Sequence, residues 1–372
     1  MKNILVVGAG KIGSVVADLL AHTPEAGGYR VTVADRSAEL LSRIDPQALQ
    51  ARRLDTLLVD IGDPAQFSKA LHGRFAVLNA APFHLTTKVA HAAKAAQVHY
   101  LDLTEDVVST RQIRALAVDA TTAFIPQCGL APGFISIVAA DLARKFDSLD
   151  SVRMRVGALP TYPSNALNYN LTWSTEGVIN EYCEPCEAIV DGQVREVQAL
   201  EEREEFSLDG VLYEAFNTSG GLGTLCETLA GKVRTLNYRT IRYPGHAAIV
   251  KTLLHDLRLK DRRHVLKDIL EHALATTLQD VVIVFVTVAG LRDGHLEQDT
   301  FAHKIYSQML VGRMRSAIQI TTASSLCAML DMLATGQLPQ HGLVRQESVA
   351  LPAFLANRFG RVFAARALAH AM

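Results

Sequence analysis

The chain reads as an α/β protein with an N-terminal Rossmann domain, a doubly wound parallel sheet, and a second α+β domain built on a mixed or antiparallel sheet. Three observations predict this. A glycine-rich turn, Gly8-Ala9-Gly10-Lys11-Ile12-Gly13, joins an apolar run to an amphipathic stretch. Short strands then alternate with helices as far as Pro126, the rhythm of a parallel sheet. Beyond Gly129 the strand-like runs lengthen and crowd together, as they do in antiparallel sheets.

Lys2–Gly8 (KNILVVG) is apolar without alternation, which predicts a strand buried on both faces. Ile12–His22 carries Val15, Val16, Leu19 and Leu20 on one helical stripe. Tyr29–Ala34 is a second strand, and Ser37 caps a helix over Ser37–Ile44. The unit repeats as Leu54–Asp60 with Pro64–Leu71, Phe75–Ala80 with Leu85–Gln97, and His99–Leu103 with Arg111–Thr122. A last strand covers Ala123–Pro126. Pro132-Gly133 opens a helix to about Phe146. Strands are then expected at Ser151–Leu159, Val211–Asn217, Lys232–Tyr238, Val281–Ala289 and Phe301–Ser307, with helices at Arg263–Ala273 and Ser316–Leu333. The expected division is a dinucleotide-binding domain over 1–127 and a substrate and dimerisation domain over 128–342. The tail over 343–372 packs back onto the first domain. The acidic run Glu201–Glu205 is expected on a solvated loop or strand edge.

With 372 residues, 49% of them hydrophobic, the chain can bury a large core. Lys and Arg (37) balance Asp and Glu (38), so no clustered positive field points to nucleic acid or to a membrane surface. The strongly apolar stretch near Val281–Leu291 is shorter than the ~20 residues that span a bilayer. Five cysteines without regular spacing give no disulfide framework, which fits a reducing compartment and a cytoplasmic location. A homodimer or higher homo-oligomer is expected, because a long-stranded second domain commonly supplies a two-fold interface.

Each glycine of the turn has a task. Gly8 allows the tight bend, Gly10 lets a pyrophosphate approach the backbone, and Gly13 lets helix pack on strand. Lys11 and Ile12 open the helix whose N-terminus faces the phosphates. Asp35 ends the second strand, where a ribose 2′-hydroxyl would bind, and its charge favours NAD over NADP; Arg36 beside it could pair with a 2′-phosphate. Asn79, Ala80, Ala81 and Pro82 end the fourth strand and Asp102, Leu103, Thr104 and Glu105 the fifth, both at the carboxyl edge where ligands bind; Asp60 stands on the adenine side. Asp102 reads equally as a turn cap.

Cys183 and Cys186 (CEPC) have no second pair at ligand spacing, so they read as two loop thiols, and no metal site is expected. Cys128 reads as a small core residue. The second domain carries polar groups that packing does not explain: Tyr169, Asn170 and Trp173 in NYNLTW, Thr218 and Ser219 before two glycines, and Arg239, Arg242 and His246 in YRTIRYPGH. An arginine in a cleft is the preferred partner of a carboxylate; the alternative for each is pairing with the acidic run. His246 reads either as a cap-region residue or as a proton carrier.

The segments Gly8–Gly13, Pro126–Phe134 (PQCGLAPGF), Asn168–Gly177, Thr218–Gly223 and Asn237–His246 resemble the saccharopine dehydrogenase-like superfamily, and within it the L-lysine 6-dehydrogenases. Ala131 departs from the acidic residue that saccharopine- and carboxynorspermidine-forming relatives tend to carry in this turn. The resemblance implies NAD-linked oxidative deamination of the ε-amino group of lysine, with a small basic amino acid as substrate. The alternative is an imine reductase or dehydrogenase that joins an amine to a keto acid or aldehyde. It further implies Arg239 or Arg242 on the α-carboxylate, Tyr169 and Trp173 along the aliphatic stem, and a general base among His246, Glu105 and Asp102.

Overall fold

The computed structural model describes residues 1–22, 28–44 and 53–364. Six of the expected strands form the first sheet: β1 (Lys2–Val7), β2 (Tyr29–Asp35), β3 (Leu54–Leu58), β4 (Ala76–Asn79), β5 (His99–Asp102) and β6 (Ala123–Ile125). All pair in parallel, and from one edge to the other they run β6-β5-β4-β1-β2-β3. The order reverses between β1 and β4, and the crevice outside the carboxyl ends at such a reversal is where α/β sheets bind ligands. Helices α1 (Gly13–Ala21), α2 (Ala38–Ser42), α3 (Pro64–Leu71), α4 (Thr86–Ala95) and α5 (Val107–Ala117) make the crossovers. α2 begins on the Ser37 cap expected from the sequence, whose Oγ accepts from Leu40 N; α3 and α5 are also capped, Asp63 Oδ1 accepting from Ala65 N and Gln66 N and Asp106 Oδ2 from Ser109 N.

The chain leaves the first sheet through α6 (Phe134–Ala143), buried on every face, and enters a mixed sheet. Its strands are β7 (Ser148–Pro160), β8 (Cys186–Val190), β9 (Gln193–Val197), β10 (Glu204–Leu208), β11 (Val211–Asn217), β12 (Val233–Arg242), β13 (Asp280–Arg292) and β14 (His295–Tyr306). The order is β10-β11-β12-β7-β13-β14, with β8 and β9 as a hairpin beside β12; only β12 and β7 run parallel. The hairpin β8–β9 went unread in the sequence, because its outward residues Gln193–Glu196 are solvated and alternate with little apolar material. Helices α7 (Thr175–Cys183), α8 (Leu225–Leu229), α9 (His246–Lys251) and α10 (Arg263–Ala273) decorate this sheet. Of the acidic run, Glu204 and Glu205 begin the edge strand β10.

The return to the first unit begins earlier than residue 343. Helix α11 (Ala317–Ala334), closed by a Ser316–Gln319 capping box, packs along α1, where the Cys327 thiol meets the Val16 carbonyl. Long and apolar enough to cross a membrane by length and composition, it is here a core helix, 89% buried. Gly342–Leu343 then adds a parallel edge to β6, and the Phe363 ring stacks on Phe134 with centroids 3.9 Å apart. One continuous apolar core therefore runs from α1 through α6 and α11 to the second sheet. Such a core holds the two sheets in register around the cleft between them. The last eight positions of the expected tail, 365–372, lie outside the described residues.

Candidate active site

The cleft's first wall is the glycine turn. A methyl at Gly8, whose φ is +100°, would lie 2.7 Å from the Ala80 carbonyl oxygen, and one at Gly13 would land on the Gly8 carbonyl. Both glycines therefore serve close packing of β1, α1 and the end of β4. Gly10 differs: a methyl there meets nothing within 4 Å. No side chain caps α1, so its first N–H groups face the same open space. An uncapped helix end over a bare glycine is the shape a dinucleotide diphosphate fills, so this turn fits such a cofactor.

Lys11 and Ile12 stand in the first turn, and the Lys11 carbonyl is tied to Gln319 of α11. Asp35 sits at the β2 end as expected, with both carboxylate oxygens engaged by the loop: Ala9 N donates to one at 2.7 Å and Ser37 N to the other at 2.8 Å. Arg36 beside it is exposed. Asp60 caps its own turn through Gly62 N. Asn79 accepts from Ala81 N and donates to Thr86 and Tyr100, which fixes the bend that carries Ala80, Ala81 and Pro82 past Gly8.

Asp102 lies inside the turn that ends β5. It is fully buried, and its carboxylate accepts from Tyr100 Oη (2.8 Å), Gln127 N (2.8 Å) and Thr104 N (3.1 Å). This is the turn-cap arrangement: Gln127 N and Thr104 N both bond Oδ1, and Tyr100 bonds Oδ2. Burial pushes its ionisation up to about 6 against the pull of those hydrogen bonds. The cap holds Leu103 and Thr104, and thereby aims the next residue, Glu105, across the cleft.

Glu105 reaches the second unit. Its backbone carbonyl packs against Gly220, whose φ is +83°, and its Oε1 lies 3.2 Å from where a Cβ on Gly177 would stand. The Trp173 ring packs on the same bare carbon of Gly177. Any side chain at either glycine would push the two units apart at this point. Among the described residues the Glu105 carboxyl has no ion pair. Burial raises it to about 7, with the charges of Asp106 and Asp102 adding to the rise.

The opposite wall is one face of β12. Side chains alternate along a strand, so Tyr238, Thr240 and Arg242 share one face and Arg239 and Ile241 the other. Arg239 is thereby removed from the site: it pairs with Glu202 at 2.9 Å and Glu204 at 3.1 Å, the acidic run that was its alternative partner. Arg242 is 2% exposed, and its guanidinium lies 5.0 Å from the Tyr169 ring centre. Nε donates to the Tyr182 hydroxyl (2.9 Å) and Nη1 to the Ile241 carbonyl (3.0 Å). Five N–H donors are available and these two bonds leave three, with no ion pair recorded for Arg242. Its cross-strand neighbour Glu214 turns instead to Ala247 N and Gly245 N.

Both ring nitrogens of His246 are engaged. Its Nδ1 lies 2.8 Å from the Leu167 carbonyl, which can only accept, so Nδ1 carries the proton. Nε2 is then an acceptor, filled by the Tyr182 hydroxyl at 3.0 Å. Burial, and then the Arg242 charge, hold its ionisation down to about 3. The imidazole is a neutral spacer at the head of α9, stacked among Tyr169, Tyr182 and Phe216. It lines a small apolar cavity of about 30 Å³ under α7 and α10.

Asn170 spends its amide on the Ala275 carbonyl (3.1 Å), and Thr218 bonds Thr240 (2.7 Å), so both shape the walls. Ser219 N donates to the Glu181 carbonyl, which docks the glycine turn onto α7. Tyr169 keeps a buried hydroxyl without a hydrogen-bond partner. Cys183 and Cys186 are buried free thiols, Cys128 is a core thiol pushed up by burial, and no group of metal-ligating residues occurs among the described residues.

Sequence reasoning missed Glu181 and Tyr182. Glu181 is 7% exposed and lies four residues, one helical turn, after Gly177 on α7. Burial, then the charge of Glu105, raise it to about 8 against the opposing pull of Arg242. The spacing Gly177-x-x-x-Glu181 was the available signal, since it puts a carboxylate on the face that meets the first unit.

The chain matches the family model of the saccharopine dehydrogenase C-terminal domain over residues 129–360 and that of the saccharopine dehydrogenase NADP binding domain over residues 4–125. A curated relative, saccharopine dehydrogenase (NADP(+), L-glutamate-forming) of Saccharomyces cerevisiae, is 24% identical over 273 residues, 70% of this chain; the match spans only 59% of the yeast protein's length. The apo structure of saccharopine dehydrogenase (L-Glu forming) from Saccharomyces cerevisiae superposes with a TM-score of 0.73 at 18% identity, covering 98% of this chain and 96% of that one. An engineered D-amino acid dehydrogenase bound to NADP+ gives a TM-score of 0.50 at 14% identity over 95% of each chain. These two likenesses establish the two-unit fold.

Proposed function

This chain belongs to the saccharopine dehydrogenase family, and from that premise we propose that it is a nicotinamide-dependent oxidoreductase that breaks a C–N bond of a basic amino acid. The finer reading is oxidative deamination at the ε-carbon of L-lysine. It yields ammonia and 2-aminoadipate 6-semialdehyde, which cyclises to piperideine-6-carboxylate.

One observation carries this reading. Of the two lysines and arginines buried among the described residues, Arg155 is neutralised by Glu204, whereas Arg242 has no ion pair. A buried guanidinium without a counter-ion is costly, and a ligand carboxylate is the group that matches its fork. Two carboxyls without ion pairs among the described residues, Glu105 and Glu181, are suited to an amino group; of the two, Glu181 feels the Arg242 charge. One carboxylate site and one amine site fit an amino acid with a second amine. They fit poorly a substrate of the saccharopine type, which brings several carboxylates to the cleft. Ala131 points the same way.

The bound dinucleotide supplies the hydride acceptor; the protein's own residues supply the rest. Free lysine holds its ε-proton with a pKa of about 10.4, and only the neutral amine can push electrons toward carbon. Glu105 takes that proton. Arg242 fixes the far end of the substrate, Tyr169 and Trp173 flank the stem, and the Gly177 and Gly220 contacts keep bulk water away from the reacting carbon. After releasing that proton to solvent, the same carboxyl is again ionised and can take a proton from the water that attacks the imine.

The cofactor reading shifts from NAD to NADP. The matched domain model is described as NADP-binding and the yeast relative carries NADP(+) in its name. In the same direction, Asp35 gives both oxygens to backbone N–H groups, and Arg36 is free to meet a 2′-phosphate. The yeast name also supports a second reading, a saccharopine-type activity. An amino-acid panel with NAD and NADP, beside reduced cofactor with lysine plus 2-oxoglutarate, separates the two. Lysine alone should reduce NADP. Turnover confined to the keto-acid mixture would replace the first reading with the second.

A further inference from the structure

We propose that Glu105 and Glu181 work as one proton-sharing pair across the cleft, with Glu105 contacting the substrate nitrogen and Glu181 positioning and holding the shared proton. This rests on the site assigned above and deepens it. Nothing in the family comparison assigns either residue.

The placement argument is geometric. Gly177 and Glu181 stand four residues apart on α7, about 6 Å along the axis, and project on the same face. The Glu105 carboxyl rests on the bare α-carbon of Gly177. The Glu105 carbonyl rests on Gly220, while the adjacent Ser219 N–H is bonded to the backbone of Glu181. Two glycine notches and one backbone bond therefore hold a side chain of each unit against the other. Neither carboxyl is ion-paired, and no side-chain donor bonds either one among the described residues.

The groups around the pair are mostly neutral. From β12 come Arg242 and Tyr238, and from the segments packed on them come Tyr169 and Tyr182, all in electrostatic reach of Glu181. Asp102 and Asp106 face Glu105 from its own loop, and Cys186 lies beyond Glu181. A single cation thus serves several acidic groups. Glu105 Oε1 stands at Gly177, Glu181 follows one turn later on the same face, and the Glu105 charge raises Glu181; two carboxyls coupled in this way favour holding one proton in common at neutral pH. The Tyr169 hydroxyl is buried near Thr172 and Trp173 and within electrostatic reach of Glu181.

The step balances simply. The substrate ammonium gives one proton to the ionised carboxyl of the pair, leaving a neutral amine and a doubly protonated pair. A dinucleotide held over Gly10 would supply the hydride acceptor as the nitrogen lone pair closes the C=N bond. The pair returns to its singly protonated state by releasing the extra proton to water.

The test is an infrared titration of the full chain without substrate, following protonated carboxyl C=O absorption in wild type, Glu105→Gln and Glu181→Gln. Each substitution should lower the ionisation of the remaining partner by on the order of one pH unit or more. Glu181→Asp, which keeps a carboxyl, should retain the coupled titration and also shows that the site folds. In parallel, the acid limb of kcat/KM should move down in Glu181→Gln, while NADPH binding followed by fluorescence stays unchanged. A remaining carboxyl that titrates where it did in wild type overturns the pairing. Coupling that is intact in a protein without turnover on any amino acid overturns the functional reading and leaves the pair standing.

Discussion

Arg242 donates from Nε to the Tyr182 hydroxyl at 2.9 Å, and Tyr182 passes its own hydrogen on to His246 Nε2 at 3.0 Å. The chain of donors has one direction, because the Leu167 carbonyl at its far end fixes the histidine tautomer. A permanently charged group is thus hydrogen-bonded by neutral partners, with three of its N–H donors left over.

Replacing that guanidinium should cost binding of the carboxylate end. Arg242→Met is expected to raise KM for the amino-acid substrate about 10- to 100-fold, the range of a lost charge-assisted bond. The dinucleotide, held over Gly10, should bind as in wild type. Steady-state kinetics beside a fluorescence titration with NADPH checks both halves.

The two outer glycines and the middle one should separate stability from binding. Gly13→Ala places a methyl on the Gly8 carbonyl and should destabilise the fold by about 1–3 kcal/mol. Gly10→Ala meets no protein atom and should leave the apo melting temperature unchanged. It should nevertheless abolish most of the dinucleotide-induced shift in thermal melting.

Arg36 stands exposed beside the carboxyl-capped turn. Arg36→Ala should lower kcat/KM for NADP about tenfold and leave that for NAD near its original value, through loss of one phosphate contact. The ratio of the two specificity constants is the readout.

Stability should carry the signature of Glu181. Its ionisation in the fold, about 8, lies above the ordinary 4.5, so the folded state holds the proton more tightly than the open chain. That contribution is fully present below about 4.5 and is lost as pH rises through about 8. Glu181→Gln removes the dependence: its urea midpoint should gain on wild type between about pH 5 and pH 9. Parallel midpoints across that range would refute the burial of this carboxyl.

The nucleotide half of the fold was legible because its signals are local. The Gly8–Gly13 turn, the Ser37 cap, and the alternation of strand and helix each lie within a few residues. The second half was legible in its long strands, such as β13 and β11, and illegible in its hairpin β8–β9, whose exposed edge carries no periodic apolar signal. Among the candidate site residues, Glu105 and Arg242 were named from their motifs. Arg239 and His246 share a motif with Arg242, yet strand parity turns Arg239 to the opposite face, and Leu167 and Tyr182 occupy both nitrogens of His246. Those facts depend on register and on residues some 60 to 80 positions away. Asp102 could cap or catalyse, and only the arrival of Gln127 from the neighbouring crossover decided it. Glu181 escaped notice because its partner, Glu105, belongs to the other unit.

The most direct test is a crystal structure of the chain with NADP and a slow basic amino-acid analogue. The expected result places the diphosphate over Gly10 at the α1 N-terminus, the analogue's carboxylate in two-point contact with Arg242, and its side-chain nitrogen beside Glu105. An analogue bound elsewhere, with Arg242 still shielded from any anion, would contradict the site.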